Sequence, residues 1–299
     1  MSMAKATSNA LDKITRLYSI RIFLIGLSMN SKLFLLLLLF AWQPCVATHL
    51  EVGVKAIRIC IDETEYPPLN YFIRLDGQKT TVNAGFDIEL LRRVLASSDW
   101  QVNLVAAPWP RCLLEVEQGR LDAAMAASAN AERRATFLLS RPYFYLSPSV
   151  AFLTERFPLL AEDGIPKRLD SLGRVCGIRG FNYAYYGQPD DLDIARSNEI
   201  FQFSDLLLKR RCEFFLINRE VFNAILRLEG QETLSAKLAI LPMAGGAKVP
   251  FYMLVSRRSP HAQALVEDFN QGIDRLEKSG ALARLWARFT ARLGGKVAP

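Results

Sequence analysis

Apolar residues recur along this chain in two spacings, and the alternation between them lays out its elements. Ile57 to Ile61, Val102 to Ala106 and Leu121 to Ala127 are short, nearly uncharged runs of strand length, the kind a sheet buried on both faces requires. Between the first two, Gly85 to Ser97 places Phe86, Leu90, Leu91, Val94 and Leu95 on one side at helical spacing, with Glu89, Arg92 and Arg93 largely away from it. Asp76-Gly77, ahead of that helix, marks a turn. Between the second and third runs, Pro108-Trp109-Pro110 opens a helix that stops at Gly119, a residue that accepts the left-handed conformation with which many helices end. The outcome is a β-α-β-α-β series.

A second series follows Pro142-Tyr143-Phe144-Tyr145. Ser149 to Thr154 reads as a strand leaving the first unit, and the polar stretch Glu162 to Asp170, with Gly164 and Pro166, introduces the next. Arg174 to Ile178 predicts a strand, Gly180-Phe181-Asn182-Tyr183 a turn into a helix, and Glu199 to Phe203 a strand. Ser204 to Arg210 predicts a short capped helix and Cys212 to Ile217 a buried strand. Val249 to Ser256 is fit to return as a strand. Val266, Phe269, Ile273 and Leu276 then fall at helical spacing, and Gly280 separates a last helix ending near Arg292. Two αβ units joined by two extended crossings predict an α/β fold of two lobes, each a mainly parallel sheet flanked by helices, with a cleft between them.

One strand end draws chemical attention. After Leu121 to Ala127 come Ser128 and Asn130, which start turns and cap helices, then Glu132, Arg133 and Arg134 on a new first helical turn. In open α/β sheets, ligands bind outside the carboxyl ends of strands, so hydroxyl, amide and guanidinium groups there mark a ligand edge. At the exit of the first strand, Tyr66 beside Pro67-Pro68 is placed either to stack on a ligand or to cover the core.

Composition narrows the class. At 299 residues, 51% hydrophobic and 22% charged, the chain is globular and long enough for two lobes. Residues 1–47 hold five basic residues against Asp12 alone, so without them the formal +7 falls to about +3, too little to argue for nucleic acid. Within them, Leu33 to Trp42 is an apolar run of ten, with Lys32 before it and the small-residue site Cys45-Val46-Ala47 after it, which reads as a cleaved secretory signal peptide. Met29 offers a second start. The alternative is a permanent anchor reaching back over Ile20 to Met29, but Asn30, Ser31 and Lys32 interrupt that span and ten residues do not cross a bilayer.

Beyond the leader stand Cys60, Cys112, Cys176 and Cys212, an even number in an export-bound chain. Of the three possible pairings, their positions favour Cys60 with Cys112 and Cys176 with Cys212, one bridge per lobe; four buried free thiols are the alternative. No pair has CxxC spacing and only His49 and His261 occur, so no metal site is expected. Neither a phosphate loop nor a nucleophile with its base stands out, and no cofactor is called for.

In order and spacing, these pieces resemble the family 3 extracellular solute-binding proteins, periplasmic components of polar amino-acid ABC transporters. The resemblance runs from about Lys55 to Arg292. It rests on Tyr66-Pro67-Pro68, Gly85-Phe86-Asp87-Ile88-Glu89-Leu90, Trp109, Gly119-Arg120-Leu121-Asp122-Ala123, Glu132-Arg133, Pro142-Tyr143, Arg174 to Gly180 and Ser279-Gly280. It implies a type II periplasmic-binding-protein fold closing about a two-strand hinge. The lobes would span residues 48–149 and 150–250, with 251–299 returning to the first.

By the same resemblance, Arg133 matches the carboxylate-binding arginine, whose fork suits two parallel hydrogen bonds. Ser128 matches the hydroxyl of the same strand end, and Gly180, Phe181 and Asn182 match the second-lobe turn, where backbone N–H groups at a helix start meet an anionic group. Tyr66, Trp109 and Asn130 complete the first-lobe set. The second-lobe aspartate that pairs with a ligand ammonium is matched by Asn218, which brings no charge, leaving Glu220 or Asp62 as substitutes. The implied role is a monomeric periplasmic receptor that delivers a small carboxylate-bearing, amino-acid-like solute to an ABC permease. Two other classes use the same cleft: a dehydratase acting on cyclic amino-acid precursors, with Glu220 as its acid, and a ligand-sensing partner of a membrane receptor.

Overall fold

The computed structural model describes residues 55–293, apart from 97 and 244–246. The signal peptide expected over residues 1–47 lies outside the described residues.

The strands in chain order are β1 (Lys55–Asp62), β2 (Tyr71–Leu75), β3 (Gln78–Ala84), β4 (Trp100–Ala107), β5 (Ala123–Ser128), β6 (Phe137–Leu139) and β7 (Phe144–Leu146). β8 (Pro148–Leu153), β9 (Val175–Ile178), β10 (Ile194–Ser197), β11 (Phe214–Asn218), β12 (Leu238–Pro242) and β13 (Val249–Ser256) follow. The helices are α1 (Phe86–Val94), α2 (Trp109–Glu117), α3 (Ala131–Thr136), α4 (Leu160–Asp163), α5 (Phe203–Leu208), α6 (Arg219–Leu228), α7 (Ala262–Lys278) and α8 (Ala281–Leu293).

The first sheet has the order β4-β1-β5-β13-β6, with β7 also on β13. β1 is parallel to β4 and β5, while β13 runs antiparallel to β5. The second sheet, β10-β9-β11-β8-β12, is built the same way: β9 to β11 are parallel, and β8 and β12 antiparallel. Both sheets are therefore mixed, parallel where consecutive αβ units build them and antiparallel where the chain crosses between them. β8 carries the chain into the second sheet and β13 brings it back, which makes this a two-lobed fold.

The uncharged runs form strands because helices cover both faces. Ile57 and Ile59 face Phe86, Leu90 and Leu91 of α1, while Cys60 and Ala124 face Cys112 and Val116 of α2, and all are buried. Asp122, of the Gly119-to-Ala123 motif, is structural: it accepts from the Arg58 N–H at 2.8 Å and the Ser259 hydroxyl at 2.6 Å, fixing the entry of β5 against β1 and the approach to α7. α1 begins at Gly85 (φ 130), where an added Cβ would stand 2.1 Å from the Leu69 carbonyl oxygen. That close approach lets the Pro68 and Leu69 carbonyls accept the first free N–H groups of the helix, from Phe86 and Asp87.

Disulfides join Cys60 to Cys112 and Cys176 to Cys212, with Cα separations of 5.6 and 5.9 Å, each tying a strand of one sheet to the chain beyond it.

Several local readings are corrected. Glu199 to Phe203 is no strand; it holds a 3₁₀ turn over Ile200–Gln202, and the strand paired with β9 is β10. Ile200 and Phe203 are both buried, three residues apart, which suits a helical turn running into α5 and not an alternating strand. α5 itself starts at Phe203, with Gln202 at its N-cap and no side-chain cap from Ser204. The turn at Gly180 leads only to a 3₁₀ turn, Ala184–Tyr186, so the second lobe offers no α-helix start there. The hairpin β2–β3, β12 and the amphipathic α6 were not anticipated.

Candidate functional site

Three strand ends and one returning strand converge on a cavity of about 40 Å³. From β1 comes Asp62, whose Oδ1 accepts from the Thr64 N–H (3.0 Å) and hydroxyl (2.8 Å). Glu65 then adopts φ 69, its carboxylate gripped by both terminal nitrogens of Arg74. This locked turn points Tyr66 inward, where it is buried.

β5 ends at Ala126 and Ser128. Ala126 has φ 57 at a register irregularity against β13, and its N–H donates to the Tyr143 hydroxyl at 2.9 Å. Asn130 caps α3, its Oδ1 accepting from the Arg133 N–H at 2.8 Å. The cap sets the first helical turn so that the Arg133 side chain folds back over the strand end. Its Nη1 donates to the Ser128 carbonyl and its Nη2 to the Gly180 carbonyl, both at 2.8 Å, and the guanidinium lies 5.7 Å over the Trp109 ring. Arg133 is only 7% exposed, and among the described residues no carboxylate bonds to it. Burial pulls its pKa down to about 10, with Glu132 opposing weakly.

The second lobe contributes neutral groups. At Gly180 (φ 78) an added Cβ would meet Pro110 Cγ at 3.2 Å, so glycine lets the two lobes touch. Asn182 Nδ2 donates to the Ala129 carbonyl at 3.1 Å and to Ser128 Oγ at 3.3 Å, and the Tyr185 hydroxyl donates to the same carbonyl at 2.7 Å. Phe181 packs edge-on to Tyr66 at 5.3 Å. Asn218, at the end of β11, donates to the Tyr66 hydroxyl at 2.6 Å and faces the Tyr186 hydroxyl at 3.5 Å.

The structure thus brings Tyr66, Trp109, Ser128, Arg133, Phe181, Asn182 and Asn218 together around one cavity. Three other expected residues stand back from it. Asn130 is spent on the cap, and Gly180 acts through its carbonyl. Glu220 does not line the cavity: its carboxylate accepts from the Ser147 N–H (2.9 Å) and hydroxyl (2.8 Å), holding the crossing into β8. Glu220 therefore sits outside the cavity, with its carboxylate oxygens on Ser147.

Sequence reasoning missed Asn70, Asp87 and Tyr186 as cavity residues, with Phe251 of β13. Asp87 was legible in one respect, as an acid on the buried side of an amphipathic helix. Asp62 lines the cavity, and burial pushes its carboxyl up to about 6 against the two Thr64 hydrogen bonds.

The frame is thus a two-lobed α/β fold with a buried guanidinium on the wall of its cavity. The bacterial extracellular solute-binding proteins, family 3, match residues 57–292, and the chain belongs to that family. No curated protein matches the sequence significantly. Among solved structures, an ABC uptake transporter substrate-binding protein from Streptococcus pneumoniae with bound histidine superposes with a TM-score of 0.64 at 20% identity, over 81% of this chain and 95% of that one. An amino acid ABC transporter substrate-binding protein from the same species, bound to L-arginine, gives 0.65 at 16% identity over 81% and 97%. The GluR0 ligand-binding core from Nostoc punctiforme with L-glutamate gives 0.60 at 16% over 78% and 98%. At these identities the likeness establishes the fold and not the ligand.

Proposed function

We propose that this chain is a periplasmic solute-binding protein that captures a small carboxylate-bearing, amino-acid-like ligand between its lobes and delivers it to an ABC permease. The observation that carries this reading is Arg133: a buried cation on the cavity wall, held by two carbonyls and an indole face and bonded, among the described residues, to no carboxylate. A desolvated cation costs several kcal/mol unless an anion compensates it, and a guanidinium fork matches a carboxylate in two parallel hydrogen bonds. A ligand carboxylate seated there would be touched by both lobes at once, so its binding energy would favour the closed state. The family membership and the amino acids bound by structural relatives support the same ligand class. Export through a leader over residues 1–47 is supported by the two disulfides, which persist in oxidising compartments.

The test is thermal unfolding of the non-reduced protein against amino acids, amines, dicarboxylates and small peptides. Ligand at about 100 times its dissociation constant adds about 2.7 kcal/mol, raising the midpoint by roughly 5–10 °C. A shift confined to carboxylates is expected. A folded protein that answers to none of the panel would sink the proposal.

A further inference from the structure

A second recess, of about 760 Å³, opens beside the hairpin β2–β3 and is walled by both lobes. The first lobe contributes Glu65, Phe72, Arg74 and Lys79 to it, the second Phe201 and Glu229. Arg74 ties these walls together. Its two terminal nitrogens donate to both oxygens of Glu65, Nη1 donates again to the Phe72 carbonyl at 2.7 Å, and Nη2 donates to Glu229 Oε1 at 3.1 Å. The guanidinium also lies 5.8 Å over the Phe201 ring. Glu229 is the C-cap residue of α6 and Phe201 belongs to the 3₁₀ turn before α5, so one side chain of the first lobe meets two elements of the second. Apolar packing brings hairpin and helix together: Tyr71 and Ala84 meet Ala224 and Leu228 of α6.

Glu65 connects this cluster to the ligand cavity. It is 4% exposed, holds φ 69 without being glycine, accepts from the Phe72 N–H at 2.7 Å, and immediately precedes Tyr66 of the cavity wall. A buried carboxylate is costly without a cation and donors, so the turn that points Tyr66 inward depends on where Arg74 is held. Lys79 also reaches Glu65, at 3.3 Å, but from a half-exposed position and as a point charge that does not replace the fork.

We propose that Arg74 is a positioning residue for ligand capture: when the lobes meet, it gathers Glu65 of the first and Glu229 and Phe201 of the second, so that contact outside the cavity fixes Tyr66 inside it. This rests on the solute-binding reading above and deepens it. Part of the affinity for every ligand then comes from a charge pair that the ligand does not touch, and because that pair faces an open recess, salt screens it.

Calorimetric titration of the full chain with L-glutamate, L-glutamine and L-arginine tests this, at low salt and at about 1 M salt, where the Debye length is about 3 Å. Glu229→Gln removes the cross-lobe bond and leaves the Arg74–Glu65 pair intact. It should weaken each ligand that binds by about threefold at low salt, and Glu229→Lys, which sets like charges together, by about tenfold. In high salt both variants should come within about twofold of the wild type. Affinities unchanged in both variants overturn the inference. So does a loss that persists undiminished in high salt, which would assign Glu229 to the shape of α6 and not to the pair. If none of the three amino acids binds the wild type, which counts against the capture reading, small-angle scattering of the ligand-free chain decides this one by itself. Glu229→Lys should then have a larger radius of gyration than the wild type at low salt and an equal one at high salt; equal radii in both conditions overturn it.

Discussion

Arg133 and Asp62 are opposite charges in one cavity, and each is held away from its ordinary ionisation by burial. Replacing Arg133 with alanine removes the proposed anion contact and also a desolvated cation. Arg133→Ala should therefore weaken carboxylate ligands by on the order of a hundredfold while unfolding stays cooperative; unchanged affinity in calorimetry would take Arg133 out of the site. Asp62 gives a pH signature. Its carboxyl ionises near 3.8 in the unfolded chain and at about 6 in the fold. The associated stability is fully present below about pH 4 and is lost as pH rises through about 6, on the order of 2–3 kcal/mol in all. Denaturant titrations of the ligand-free protein should show this decline, and Asp62→Asn should flatten it. A stability that climbs across pH 4–6 with the acid present, and not without it, would contradict the assignment.

At the scale of elements, the cysteines tie strand to neighbour. Cys60 in β1 meets Cys112 in α2, and Cys176 in β9 meets Cys212 just before β11, across separations of 52 and 36 residues. Loops of that length correspond to about 3–4 kcal/mol each in the chain-entropy account, so Cys60→Ala with Cys112→Ala should lower the thermal midpoint by roughly 6–16 °C. Non-reducing peptide mapping should recover both pairs. These elements were legible because their signals are local: uniform apolar runs for β1, β5 and β13, and one-sided spacing for α1 and α7. α6 carried such a signal in Val221, Phe222, Ile225 and Leu226 and was passed over. The hairpin was not legible beyond its Asp76-Gly77 turn. Gln78–Ala84 is polar and mostly exposed, and it pairs for its backbone bonds more than for any buried face.

For the whole molecule, closure over the cavity combines the charged Arg133-to-Gly180 bond with a set of neutral cross-lobe bonds. Asn182 bridges to Ser128 and Ala129, Tyr185 to Ala129, and Asn218 to Tyr66. Each is worth about 1 kcal/mol net and exists only when the lobes meet. Asn182→Ala should accordingly weaken every bound ligand by a similar factor, on the order of tenfold, with midpoints of the free protein little changed. Loss restricted to one ligand chemistry would mean that Asn182 contacts the ligand and does not simply latch the lobes.

What the sequence by itself determined is whatever depends on neighbours a few residues away: the alternation of strands and helices, the chain crossings at β8 and β13, the cysteine grouping, and the cap that orients Arg133. The remainder of the cavity wall depended on tertiary structure. Asn70 comes from the loop before the hairpin, Asp87 from α1, Tyr186 from a turn of the second lobe and Phe251 from the returning strand. They meet through sheet register and lobe closure, to which spacing along the chain is blind. Glu220 shows the same limit from the other side. Its residue type suited the site, and a short bond to Ser147, a neighbour only in the fold, took it elsewhere.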